Sequence, residues 1–213
     1  MKNIRVVVIA ICSLVLSGCA SSQMYAKDKI DGVYFTVPNG WTKISQNTLN
    51  SREAQSKATG AADRLSLVTW QEAYSMGGDA TAADVFSLKA PKSPLVYVRV
   101  RDLSIDEVQS VSYNSLRDII VPLTGWINKG GSNKDFQLID DYERVEKGAR
   151  GVRTIFSFIG TDGAHQTIDQ TAMVAQDHSK IYVLLVRAKS SDYQSAQTML
   201  TKIGDSLTIR GTK

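Results

Sequence analysis

The chain of 213 residues carries 25 Lys and Arg against 21 Asp and Glu, and 43% of its residues are hydrophobic. This composition is typical of a globular protein, and the length suits one domain with a sizeable core. The formal net charge of +4 lacks the concentrated basic excess of a nucleic-acid-binding protein, so we predict no nucleic-acid partner.

The N-terminus has the order of positive charge, apolar run and small residue that is typical of an export signal. Lys2 and Arg5 precede an almost uninterrupted apolar run over residues 6–16. As a helix, that run would span roughly 16 Å, which is too short for a hydrocarbon core of about 30 Å. The run therefore predicts a secretory signal peptide rather than a membrane-spanning helix.

The stretch Leu16-Ser17-Gly18-Cys19 ends this run and resembles the lipobox of bacterial lipoprotein signal peptides. The resemblance implies cleavage between Gly18 and Cys19, a diacylglycerol on the cysteine sulfur, and a further acyl chain such as palmitate on the new N-terminus. Two or more chains hold a protein stably on a membrane, because each buried CH₂ contributes about 0.8 kcal/mol. Ala20 follows the cysteine where inner-membrane lipoproteins tend to carry Asp. We therefore expect an outer-membrane anchor facing the periplasm, with the inner membrane as the alternative.

Cleavage at this point divides the chain into three parts. Residues 1–18 are the signal peptide, residues 19–31 are a lipidated N-terminus with a flexible polar tether, and residues 32–210 are a single globular domain. Cys12 leaves with the signal peptide and Cys19 is lipidated, so we expect no disulfide, thiol enzyme or cysteine-type zinc site.

The first half of the domain has short strand signals around a turn. Residues 33–37 alternate between apolar and polar positions and lead into the turn signal Pro38-Asn39-Gly40. This pattern predicts a hairpin whose second strand covers residues 41–44. Residues 46–63 are polar and predict a loop with one helical turn, whereas residues 65–73 predict another strand.

The middle of the chain has a strand followed by a helix. Residues 95–103 alternate strictly, which predicts a strand with one apolar face. Ser104 and Glu107 match a capping box, in which a hydroxyl is followed three residues later by a glutamate. They predict a helix with one apolar face that ends near Pro122.

The second half of the domain resembles a meander of strands separated by Gly, Asp and Lys turns. The strand signals cover residues 136–145, 151–159, 165–175 and 180–188. Residues 181–186 are apolar on both faces, which predicts a central strand. Ser191 opens a last helix. The sequence therefore predicts an α+β fold: a largely antiparallel sheet of about six to eight strands, packed with a mid-chain helix and a C-terminal helix.

A family resemblance is carried by the apolar strand that runs into Val37-Pro38-Asn39-Gly40-Trp41 and by the helical pattern over residues 199–207. Both features, and the order of the elements over about residues 31–209, resemble the PsbP/Mog1-like fold. The members of that family are mostly accessory or interaction proteins, so the resemblance implies a non-enzymatic role. It transfers no catalytic residue to this chain.

One polar face of the predicted sheet carries arginines. Arg99 and Arg101 share a strand face with Tyr97, and Arg153 lies on a later strand. If these faces coincide, the guanidinium groups form a patch that suits phosphate or carboxylate. We therefore expect an anionic partner, either a lipid head group or an acidic protein segment. The alternative is a solvated outer face of the sheet.

The sequence offers no recognisable catalytic, cofactor or metal motif. His165 and His178 lie in or beside turns, and neither Gly-x-Ser-x-Gly nor His-Glu-x-x-His occurs. The adjacent acids Asp140 and Asp141 point to opposite faces of a strand, so they are poorly placed to share a metal. We expect no enzyme activity, no cofactor and no metal site.

Three classes of function remain open. The first is a lipid-anchored cell-envelope protein that acts as a non-enzymatic accessory or interaction module on the periplasmic side, with an envelope protein as its partner. The second is a binding protein or carrier for a small apolar or lipid ligand. Trp41, Trp70 and Trp126 could line its pocket, although such residues more often belong to a core. The third is an envelope hydrolase.

Overall fold

The computed structural model of the protein describes residues 23–129 and 135–210. Within these ranges, ten strands form a three-stranded and a seven-stranded sheet, both antiparallel, and eight short helices accompany them. The predicted α+β fold with a largely antiparallel sheet is thereby confirmed. The lipobox Leu16-Ser17-Gly18-Cys19, with its expected cleavage and lipid-attachment sites, lies outside the described residues.

The strands follow one another in two sheets, ordered β1-β2-β10 and β3-β4-β5-β9-β8-β7-β6. Their bounds are β1 (Gln23–Asp28), β2 (Val33–Pro38), β3 (Thr42–Ile44), β4 (Val68–Ser75), β5 (Leu95–Asp102), β6 (Gln137–Glu146), β7 (Ala149–Ile159), β8 (His165–Ala175), β9 (Lys180–Lys189) and β10 (Thr208–Ile209). The meander β6 to β9 has the chain order that the Gly, Asp and Lys turns predict.

The helices are short, and they lie between and after the strands of the larger sheet. They are α1 (Gln46–Glu53), α2 (Ala61–Ser66), α3 (Ala82–Val85), α4 (Ile105–Ser110), α5 (Tyr113–Arg117), α6 (Leu123–Asn128), α7 (Ser190–Ser195) and α8 (Gln197–Asp205). None of the helices in the described part of the chain combines the length and apolar content that crossing a bilayer requires.

The central strands of the seven-stranded sheet are buried on both faces. On β9, Leu184 and Val186 pack with α8 and the three-stranded sheet, which we call the α8 face. The alternate residues Val183 and Leu185 pack on the other side with residues of α1, α3, α5 and α6, which we call the α5 face. Strand β9 lies fourth of seven, so the central position predicted for residues 181–186 is confirmed.

The N-terminal segment differs from its prediction. Residues 23–28 form β1, which pairs along its whole length with β2, whereas the sequence predicts a flexible tether through residue 31. Ala26 is buried against the core, and Asp31 is 1% exposed. The strand signal is weak because Met24 and Ala26 are the only apolar residues on its inner face. The tether prediction is therefore wrong for residues 23–31.

Two helical regions also differ from the expectation. The polar segment 46–63 contains α1 and α2 rather than a loop, because the side chain of Ser45 caps α1 and Leu49 fills the core. The capping box of Ser104 and Glu107 forms as predicted. The single mid-chain helix is instead divided into α4, α5 and α6. Ser112 begins a second capping box, and Pro122 precedes α6 rather than ending a helix.

Candidate functional site

A pocket of about 530 Å³ opens on the α5 face of the large sheet. Its floor is formed by the outward-facing residues of the adjacent strands β5 and β9, which pair in antiparallel register. Its walls come from the end of α1, from α2, from the segment after α3, and from the chain between α5 and α6. The lining is apolar with a set of arginines: Arg64, Arg99, Arg101 and Arg187.

Arg99 and Arg101 lie on the same face of β5 as Tyr97, and all three line this pocket. Nη1 of Arg99 donates to Oε1 of Glu53 at 2.8 Å. Arg101 donates to both carboxylate oxygens of Glu107 at 2.7 Å. The strand alternation thus brings these two arginines together, and the fold gives each of them a carboxylate partner.

Local contacts shift the pKa values of the groups around Arg101 and Tyr97. The hydrogen bonds from Arg101 lower the pKa of Glu107 to about 2, so this carboxylate stays ionised across the physiological range. Burial raises the pKa of Tyr97 to about 12. Its hydroxyl remains neutral and donates to Oε1 of Gln71 at 2.6 Å.

Arg153 lies on the opposite face, which contradicts the expectation of one patch with Arg99 and Arg101. In the strand register, Tyr97 of β5 pairs with Leu185 of β9. Leu185 pairs with Gln170 of β8, which in turn pairs with Thr154 of β7, so these residues share the α5 face. Arg153, the neighbour of Thr154, therefore points to the α8 face, because successive side chains alternate. Arg153 is buried and pairs with Asp169 there. Sequence alternation alone cannot relate the faces of strands whose register is unknown, and this explains the error.

The arginine that sequence reasoning missed is Arg187 on β9. It lies on the α5 face, lines the pocket and is only 2% exposed. Its guanidinium donates to the carbonyl oxygens of Val85 and Lys89 and to Oε1 of Gln166, at 3.2, 3.0 and 3.1 Å. The signal was present in the sequence, because a single arginine near the end of the apolar run 181–188 has to face a buried side.

Burial dominates the electrostatics of Arg187. It lowers the pKa of the guanidinium to about 10, although the charge of Asp84 acts in the opposite direction. Among the described residues, the ion pairs do not include Arg187. Its Nε also has no hydrogen-bond partner within that part of the chain. Within the described ranges, the acceptors of this buried cation are therefore all neutral oxygens.

The tryptophans do not gather around one pocket. Trp41 and Trp70 are buried in the core of the α8 face. Trp126 packs on the α5 face against Phe136 and Phe158, with ring centroids 5.6 and 5.4 Å apart. They are core residues, and the residues that line the pocket at Arg187 do not include them.

The chain is similar to three solved structures from three different organisms. PsbP of Synechocystis sp. PCC 6803 matches at 13% identity and a TM-score of 0.46, covering 91% of this chain and 98% of that chain. LpqN, described as involved in cell envelope biogenesis of Mycobacterium tuberculosis, matches at 12% identity and a TM-score of 0.46, covering 88% and 90%. The Ran-binding protein Mog1p of Saccharomyces cerevisiae matches at 9% identity and a TM-score of 0.44, covering 89% and 96%. No family model and no curated protein matches the sequence. Identities this low leave the functional argument to the chain's own residues.

Proposed function

We propose that the protein is a lipid-anchored cell-envelope protein whose domain acts as a non-enzymatic accessory or interaction module on the periplasmic side. The observation that carries this proposal is Leu16-Ser17-Gly18-Cys19 at the end of the apolar run 6–16. In this role, Cys19 is the thiol that takes the diacylglycerol. Ala20 after the cysteine favours the outer membrane over the inner membrane.

A Cys19→Ser variant tests the anchor. We expect wild-type protein in growing cells to incorporate radiolabelled palmitate and to fractionate with the envelope membranes. The variant lacks the thiol that accepts the lipid, so it should remain unlabelled and accumulate as unprocessed precursor. Efficient cleavage of the variant to a soluble form would instead indicate an ordinary signal peptide and overturn the proposal.

The edge strand β6 supports an interaction role for the domain. It is ten residues long, lies at the end of the seven-stranded sheet and, within the described ranges, pairs only with β7. Ile139 and Val145 on this strand are exposed large apolar residues. The open edge offers unpaired backbone groups to an added strand, and these two apolar side chains offer contacts to it. We propose that β6 receives an extended segment of an envelope protein.

Cross-linking of the native lipidated protein in envelope membranes tests the partner surface. We expect Ile139→Lys combined with Val145→Lys to abolish a specific cross-linked product. Ile105→Lys is the matched control, because Ile105 is also exposed and apolar but lies on α4. Loss of the product in the control, or its persistence in the β6 variant, would exclude the edge strand as the docking site.

A second candidate function is the binding or carriage of a small ligand. The specific observation that favours it is the pocket of about 530 Å³ on the α5 face. This volume lies within the range of roughly 300–1,000 Å³ that is typical of small-molecule sites. The two functions are compatible, because β6 and the pocket use different parts of the sheet.

A further inference from the structure

We propose that the pocket on the α5 face binds an amphipathic oxyanion, a molecule with one carboxylate or phosphate head group and an apolar chain. This inference deepens the second proposed function and rests on it, because it names the ligand class of the same pocket. The head group lies against Arg187 and the neighbouring arginines, and the chain covers the apolar floor.

The first argument is the state of Arg187. A buried charge costs several kcal/mol unless a counter-charge and hydrogen bonds compensate it. The guanidinium of Arg187 has five N–H donors, and its three hydrogen bonds go to two backbone carbonyls and one amide oxygen. Its Nε is buried without a partner in the described part of the chain. An oxyanion in the pocket that Arg187 lines would supply the missing counter-charge.

The second argument is the charge balance of the lining, which contains four arginines and the single carboxylate of Glu53. Glu53 binds Arg99, and Glu107 outside the lining binds Arg101. Two arginines remain without a carboxylate partner among the described residues: the buried Arg187 and the exposed Arg64, which donates to the Thr59 carbonyl at 3.0 Å.

Asp84 is the acidic group whose charge acts on Arg187: it raises the pKa of the guanidinium, and the arginine in turn lowers the pKa of the carboxyl group. Its carboxylate is already held by Thr81, through the backbone N–H at 2.8 Å and the hydroxyl at 2.6 Å. These bonds belong to the capping box of α3. Asp84 therefore reduces the positive potential at the pocket but does not form an ion pair with Arg187.

The third argument is the apolar remainder of the pocket. The apolar part of its floor is Ile181, Val183 and Leu185, and the large apolar side chains of Phe86 and Leu88 are exposed at its wall. A bare inorganic anion would leave this surface in contact with water. An attached apolar chain would cover it and remove that surface from water. The lining thus favours an amphiphile over free phosphate.

Calorimetric titration tests the ligand class. The full mature chain is placed in lipid nanodiscs, and empty nanodiscs provide the blank for ligand partitioning. The probes are octanoate, octyl phosphate, neutral octyl glucoside with the same chain, and acetate with the head group alone. We expect the two octyl anions to bind at least about tenfold more tightly than octyl glucoside, because charge-assisted bonds to guanidinium add to the chain contacts. Equal affinity for the neutral amphiphile, or no binding of either octyl anion, would overturn the proposal.

Arg187→Met tests the head-group site, since methionine keeps an unbranched apolar side chain and removes the charge. The variant should lose the roughly tenfold preference for octanoate while its affinity for octyl glucoside stays unchanged. Arg210→Met is the matched control, because Arg210 lies over the ring of Tyr34 beside the smaller sheet. A retained preference in folded Arg187→Met excludes the site.

A second variant covers the case in which Arg187→Met does not fold, as judged by circular dichroism. Phe86→Ser with Leu88→Ser changes only exposed side chains and should weaken both octyl anions and octyl glucoside. Unchanged binding would show that the amphiphile sits elsewhere. The outcomes are independent of the anchor, because palmitate labelling of Cys19 proceeds whether or not the pocket binds octanoate.

Discussion

Arg153 and Asp169 form a two-pronged ion pair between β7 and β8, and each side chain is 1% exposed. Nε of the arginine donates to Oδ1 at 2.8 Å, and Nη2 donates to Oδ2 at 2.7 Å. The same guanidinium donates to the carbonyl of Thr201 and to the carboxylate of Asp205, both on α8. Tyr193 of α7 donates to Asp169 at 3.2 Å. The pair therefore fastens the C-terminal helices to the sheet.

Removing one partner of this pair should strongly destabilise the domain. Arg153→Met leaves the carboxylate of Asp169 buried without its counter-charge, so we expect the free energy of unfolding to fall by about 3–5 kcal/mol. The measurement is urea denaturation followed by tryptophan fluorescence. The double variant Arg153→Met, Asp169→Leu should recover part of that loss, because no uncompensated charge remains. A double variant as unstable as the single one would assign the loss to packing.

The close approach of Gly204 to this ion pair supplies a second prediction. A Cβ at Gly204 would lie 2.5 Å from Nη2 of Arg153 and 3.0 Å from Oδ2 of Asp169. We expect Gly204→Ala to lower stability by about 1–3 kcal/mol, since both groups are fixed by hydrogen bonds. Gly125→Ala within α6 is the control, because a Cβ there meets nothing within 4 Å. That change should be neutral or stabilise by up to about 1 kcal/mol. Thermal unfolding by circular dichroism compares the two, and equal melting temperatures would contradict the clash.

The ion pair between Arg101 and Glu107 should make stability depend on pH. Folding lowers the pKa of Glu107 from 4.5 to about 2, so the pair contributes above pH 4.5 and its contribution is lost as the pH falls towards 2. We expect Glu107→Gln to lower stability at pH 7 by no more than about 1 kcal/mol, because water screens a side chain that is 39% exposed. The difference from wild type should vanish near pH 2.

The control for this pH effect separates charge from capping. Glutamine keeps the capping geometry with Ser104, so Glu107→Gln changes mainly the charge. Ser104→Ala instead removes a neutral cap and should cost about 1 kcal/mol at every pH. Urea titrations from pH 2 to 7 provide the measurement. A penalty for Glu107→Gln that does not change with pH would argue against the ion pair.

Asp31 tests whether the segment after β1 belongs to the folded domain. Its carboxylate lies 3.2 Å from Nζ of Lys180 and accepts from the hydroxyl of Thr69 at 2.5 Å. Asp31→Ala should lower the free energy of unfolding by about 1–3 kcal/mol, because it removes a buried carboxylate that binds Lys180 and Thr69, and hydrogen bonds to a charged group contribute more than neutral ones. Lys29→Ala changes an exposed neighbour and should stay within about 0.5 kcal/mol of wild type. Equal effects in urea denaturation would mean that the segment is not packed.

The elements that sequence reasoning predicts well have strong local signals. Strand β5 has strict alternation, β9 is apolar on both faces, and the capping box at Ser104 places the start of α4. The mid-chain helix was predicted too long because its apolar face continues through Ser112, where a second cap interrupts the backbone. Strand β1 was missed because its stability depends on pairing with β2, and pairing leaves little trace in six residues.

The candidate site was predicted only in part, for a reason of geometry. Tyr97, Arg99 and Arg101 share a face by the local rule of alternation, and they do line one pocket. Arg153 lies on the opposite face from the one expected, because its face depends on a register that runs through four strands. A charged residue in an apolar central strand, as Arg187 is, provides a sharper sequence signal than a charged residue in an alternating one.

The early start of β1 sets how far the domain could reach from the proposed lipid anchor. Three residues, 20–22, separate Cys19 from the first residue of the strand. Because consecutive Cα atoms are about 3.8 Å apart, the leash from an acylated Cys19 to Gln23 reaches at most about 15 Å. If Cys19 carries the proposed lipid, this short linker would keep the domain in a thin layer above the bilayer, where it would meet partners by lateral diffusion. Under the proposed anchor, a partner or ligand would therefore have to lie at the membrane surface to be bound.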